Sequence, residues 1–157
     1  MFSELLDVLV MVSEWGPDMT DGKRLLEDFH PPTKIRLSLI WASLMFLYIY
    51  NDYFVLFTPG TLAGMSEGRM GPLGKATDAV MIAVSLLLAI PALMIFLSTA
   101  LPPLASKWLN VVLGIAYTAV EVMTFGGPHL FYKIVVALEM ALTVLIVWYA
   151  LRWPRAA

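Results

Sequence analysis

Cysteine is absent from this chain, which excludes disulfides, thiolate metal sites and thiol redox chemistry. Histidine is scarce: His30 precedes the first long apolar run and His129 heads the last, so neither a bis-imidazole haem site nor a mid-membrane chlorophyll ligand can be assembled. Charge is scarce as well. Charged residues make up 14% of the 157 positions, against about 25% in soluble domains. The net charge of -2 excludes a nucleic-acid binder, which needs a basic face. No HExxH, P-loop, GxSxG or GxGxxG is present, so no catalytic residue, metal ligand or cofactor is assigned.

What is abundant is hydrocarbon. Hydrophobic residues make up 60% and mean hydropathy is +0.80, which together indicate a membrane protein of one domain. The run from Lys34 to Gly60 opens with two cations, stays apolar and aromatic, and stops at Pro59-Gly60. Its length matches a hydrocarbon core of roughly 30 Å at about 1.5 Å rise per residue. Further spans are expected over 79–101, kinked by Pro91, over 107–125, and over 129–151. The last closes on Trp148, Tyr149, Arg152 and Trp153, an aromatic belt with a cation at headgroup level. The expected fold is all-α: a polytopic transmembrane four-helix bundle at 34–154, behind an N-terminal extension at 1–33 and before a short tail at 155–157. The glycines between Gly60 and Gly74 predict a flexible connection between the first two spans.

The extension carries an amphipathic pattern. Ser3, Glu4, Asp7 and Glu14 fall on one stripe, while Phe2, Leu5, Leu9, Val12 and Trp15 cover the apolar remainder. Helices that lie on a membrane normally carry lysine and arginine, and this one is acidic. Three readings stand: docking against a membrane-protein partner or its own bundle through those apolar residues, lying at the interface, or a true start at Met19. Gly16-Pro17 ends the helix.

Orientation follows from the cations. Lys23, Arg24, Lys34, Arg36, Lys107, Arg152 and Arg155 fall on the N-terminal side, and Arg69, Lys75 and Lys133 on the other. That imbalance predicts cytoplasmic N and C termini, with the lipid bilayer as the principal partner.

Polar groups inside the spans are the candidate site. Asp52, Glu121, His129 and Lys133 come from three spans and share the outer third, flanked by Tyr50 and Tyr117; Glu139 lies deeper in the fourth span. Lys107, Asn110, Gly114, Tyr117 and Glu121 fall on one helical face, and Tyr132, Glu139 and Thr143 line up on another. Ser85, Ala89 and Ala92 form a small-residue face on the second span. A carboxylate at membrane depth is costly and needs a partner or a wet cavity. Either the acids are paired (Asp52 with Lys133 or a tyrosine, Glu121 with His129 or Tyr117), or they exchange protons or bind a cation through an outward-open cavity.

The stretches YIYNDYFVLFTPG, AIPALMIFLS, WLNVVLGIAYT and LIVWYALRWP, in this order, resemble an uncharacterised domain-of-unknown-function family of small bacterial four-span membrane proteins, loosely similar in size and layout to DoxX-like proteins. The resemblance covers about Lys34 to Pro154. It implies the fold and a bacterial inner membrane but carries no reaction. Three functions are therefore open: a protein binding a small ligand or proton at the outer polar cluster, an accessory subunit of a larger membrane complex, and, by the DoxX likeness alone, a quinone-linked redox protein.

Overall fold

The structure, a computed structural model, describes residues 29–127 and 129–154. The acidic-edged helix and its docking residues Phe2, Leu5, Leu9, Val12 and Trp15 lie outside the described residues, as does the tail at 155–157.

Five α-helices form among the described residues: α1 (Thr33–Val55), α2 (Thr61–Ser66), α3 (Asp78–Ala100), α4 (Pro103–Thr124) and α5 (Leu130–Leu151). The boundaries follow local chemistry. Pro31-Pro32 cannot continue a helix backwards, so α1 starts at once behind them. The Thr77 hydroxyl accepts from the Val80 N–H at 3.4 Å, with Asp78 in the first turn of α3. Pro103 opens α4, at a position where its missing N–H costs nothing.

The four long helices form a ring. α1 packs along α3 and α5, α4 packs along α5, and α4 touches α3 more lightly. α1 and α4 therefore stand diagonally across the interior. Leu37, Trp41 and Leu44 from α1 meet Met94, Val111, Tyr117, Ile146 and Ala150 in the buried core. Lys34 ties one end: its Nζ donates to the carbonyls of Thr99 at 3.0 Å and Leu101 at 2.5 Å, a cation on the C-terminal carbonyls of α3.

Among the described residues two helices, α3 and α5, are long and apolar enough to cross a membrane. α1 and α4 carry more polar groups, and those groups turn inward. On α4, Asn110, Gly114, Tyr117 and Glu121 are buried, as the spacing predicts, whereas Lys107 is only half-buried and Ser106 takes the inward position beside it. The outward positions are mostly apolar on the long helices, for example Phe46, Phe96, Ile115 and Val144, with Ser43, Asp52 and Ser85 among the exposed polar exceptions.

Two expectations change. The inner face of α3 is Pro91, Met94 and Ser98, whereas Ser85 and Ala92 are exposed and Ala89 is half-buried. The Ser98 hydroxyl finds Asn110 there, and the Leu87 carbonyl that Pro91 leaves unbonded finds the Tyr117 hydroxyl, partners that the small-residue stripe does not need. The connection between α1 and α3 is folded rather than loose. It contains α2, a 3-10 turn at Gly71–Leu73, and backbone bonds from Met70 to Gly74 and from Ala76 to Gly68. Gly60, at φ +85°, turns the chain into α2 in a conformation that side chains with a Cβ resist.

Candidate functional site

Two polar clusters are stacked along the interior. The first joins α1, α3 and α4. Asn110 is fully buried, and its Oδ1 accepts from Trp41 Nε1 at 2.7 Å and from the Ser98 hydroxyl at 3.2 Å. Its Nδ2 donates to the Ser106 carbonyl at 2.8 Å, while the Ser106 hydroxyl donates to the Ser98 carbonyl at 2.9 Å. Every polar group of the Asn110 side chain finds a partner, so this cluster is a structural lock.

The second cluster lies toward the end where α1 and α4 finish and α5 begins. Glu121 is 2% exposed and held from two helices: the Tyr48 hydroxyl donates to Oε1 at 2.8 Å and the Thr143 hydroxyl to Oε2 at 2.8 Å. Thr118 donates in turn to the Thr143 hydroxyl at 2.9 Å. Glu139, one turn before Thr143 on α5, is 3% exposed and faces the side chain of Asn51. Glu139 Oε1 and Asn51 Oδ1 are both buried without a hydrogen-bond partner. Buried polar atoms are nearly always paired, so two bare acceptors on facing residues call for an explanation. Among the described residues no lysine, arginine or histidine bonds to either carboxylate. No group of three or more histidine, aspartate or glutamate side chains suited to a metal ion occurs there either.

The sequence candidates divide accordingly. Glu121, Glu139 and Tyr117 are buried, but the Tyr117 hydroxyl donates to the Leu87 carbonyl rather than to Glu121. Asp52 and Tyr50 are exposed on the outer surface of α1. Lys133 is half-buried and makes no ion pair with Asp52. His129 is exposed and stacks on Phe131 rather than reaching Glu121.

A family model described as a family of unknown function (DUF6326) matches residues 25–157. The chain belongs to that family. No curated protein and no solved structure matches it. The DUF6326 match begins ahead of Lys34 and so includes part of the extension that the resemblance left out.

In this DUF6326 chain the residues missed by sequence reasoning are Tyr48, Asn51 and Thr118. The signal for the first two was present: Leu37, Trp41, Leu44, Tyr48 and Asn51 recur every three or four residues, which sets the inner stripe of α1. Asn51 continues that stripe, and Asp52, one residue on, turns about 100° away from it.

Proposed function

We propose that this protein is an integral membrane protein with four spans, α1, α3, α4 and α5, and both termini on the cytoplasmic side of a bacterial inner membrane. In this reading its interior Glu121–Glu139 pair takes up a proton or a small monovalent cation. Inverted polarity supports the membrane assignment: Asn110, Glu121, Glu139 and Thr143 are buried, while phenylalanine, leucine, isoleucine and valine cover the outside. Water-soluble monomers rarely expose continuous apolar surface of that kind.

The observation that carries the binding reading is the pair of bare acceptors, Glu139 Oε1 and Asn51 Oδ1. A buried acceptor without a donor costs about 1–3 kcal/mol. A water molecule would satisfy both atoms but would leave the charge of two interior carboxylates unbalanced. A proton on Glu139 that donates to Asn51, or a small cation between them, satisfies the acceptors and the charge together.

Infrared difference spectroscopy of the full chain in lipid, with proton or sodium concentration stepped, is the test. The expected result is a carboxyl C=O band that responds to the step and is lost in Glu139→Gln. A folded protein whose carboxyl region is identical in wild type, Glu139→Gln and Glu121→Gln overturns the reading.

The accessory-subunit reading has its own support. Tyr50, Tyr53 and Phe54 near the end of α1 and Phe57 just beyond it form an exposed ladder of ring contacts. The ladder borders a groove of about 540 Å³ that reaches Phe131 and Ile134 on α5. Native mass spectrometry from the source membrane distinguishes the two, because a subunit arrives with its complex and a self-sufficient bundle arrives alone. The quinone-linked reading rests on the DoxX likeness alone.

A further inference from the structure

At the opposite end from the carboxylates, where α1 begins and α5 ends, a pocket of about 310 Å³ opens between the two helices. Pro32 and Thr33 form one wall, Trp148 and Tyr149 another, and Arg36 and Arg152 both line it. The Arg152 guanidinium lies 3.7 Å from the centroid of the Trp148 ring, and that of Arg36 lies 5.7 Å from the Tyr149 ring. Each ring covers a face of its guanidinium and leaves the N–H edge free to donate. Among the described residues no aspartate or glutamate lines the pocket, and neither arginine is in an ion pair. Pro32 supplies no side-chain cap to the start of α1, which adjoins this wall.

We infer that this pocket binds the phosphate group of an anionic phospholipid. Two guanidinium edges match the geometry of phosphate oxygens, which arginine grips through paired N–H donors. The volume is at the small end for ligand sites and suits a headgroup rather than a whole lipid. Trp148, Tyr149 and Trp153 are the residue types that mark the headgroup level. Basic pockets between spans on the cytoplasmic side are suited to anionic headgroups. The inference rests on the membrane reading above and is independent of the carboxylate pair.

The test reconstitutes the full chain into vesicles of phosphatidylglycerol mixed with phosphatidylcholine and reads retained lipid by native mass spectrometry. Wild type should retain phosphatidylglycerol in preference to phosphatidylcholine. Removing each guanidinium should weaken that preference about fivefold, so that R36Q/R152Q retains both lipids nearly alike. R69Q, at the other end of the bundle, should behave as wild type. Should the double variant fail to accumulate, R152Q alone, at an exposed position, should still show the single step. Equal preference in wild type and R152Q overturns the inference. So does stabilisation by inorganic phosphate equal to that by phosphatidylglycerol, which would make the ligand a soluble anion. A chain that fails to float with either kind of vesicle refutes the membrane reading itself, an outcome distinct from floating without lipid preference.

Discussion

The Tyr117 hydroxyl on α4 donates to the carbonyl of Leu87 on α3 at 2.5 Å. Leu87 stands four residues before Pro91, whose missing N–H leaves that carbonyl without its helical partner. One side chain thus repairs the defect that the proline makes in a neighbouring helix, and the same ring packs edge-on against Trp41 at 5.9 Å. Interior proline is tolerated in a bundle when a neighbouring helix supplies such a donor.

Tyr117→Phe should therefore destabilise the bundle by about 1 kcal/mol, since the ring stays and the donor goes. In a Pro91→Ala background the helix recovers its own N–H donor, and the same change should cost less. A double-mutant cycle by unfolding in detergent measures the coupling. Equal cost in both backgrounds would show that the hydroxyl does not serve the proline.

Gly114 marks the closest approach of α4 to α5. A Cβ there would stand 2.7 Å from Val147 Cγ2 and 3.3 Å from the Thr143 carbonyl oxygen. Gly114→Ala is expected to cost about 1–3 kcal/mol through overpacking. Val147→Ala in the same chain should restore part of it, because the nearest atom is a removable methyl. Thermal unfolding of the single and double variants reads the difference.

Asp52 and Glu121 should respond unequally to amide substitution. Asp52 is exposed on α1, so Asp52→Asn should change stability by no more than about 0.5 kcal/mol. Glu121→Gln keeps only one carbonyl acceptor for the Tyr48 and Thr143 hydroxyls and should cost about 1 kcal/mol or more. A large loss in Asp52→Asn would restore the ion pair with Lys133 that the spacing allowed.

Orientation can be read by labelling, because the native chain has no cysteine to give background. Ser66→Cys, at an exposed position in α2, should react with a membrane-impermeant maleimide from outside intact cells. A reporter fused after Ala157 should behave as cytoplasmic. Reaction of Ser66→Cys only after permeabilisation would reverse the assignment.

The helices were legible because apolar length acts locally: the runs opening at Lys34 and covering 79–101 match α1 and α3 closely, while α4 opens at Pro103, four residues ahead of the start expected at 107. The buried stripe of α4 was legible too, since its polar residues keep a helical period. The choice between Asn51 and Asp52 was harder. A charge draws attention over an amide, yet the one-residue rotation set by Trp41 and Leu44 decides which side chain faces inward. Pairings across the bundle, such as Tyr48 with Glu121, depend on which helices stand diagonally, and no local pattern encodes that. The glycine-rich connection was misread because the same φ freedom that loosens a linker also permits the turns seen at Gly60 and Gly74.

The diagonal placement of α1 and α4 has a consequence for biosynthesis. Trp41 and Tyr48 find their partners 69 and 73 residues later in the chain. At about 5–20 residues per second, the first helix waits roughly four to fourteen seconds with its inward donors unanswered. Chains interrupted after α3 would carry a Trp41 indole and a Tyr48 hydroxyl with no acceptor, a signature by which quality control can tell an unfinished bundle from a closed one.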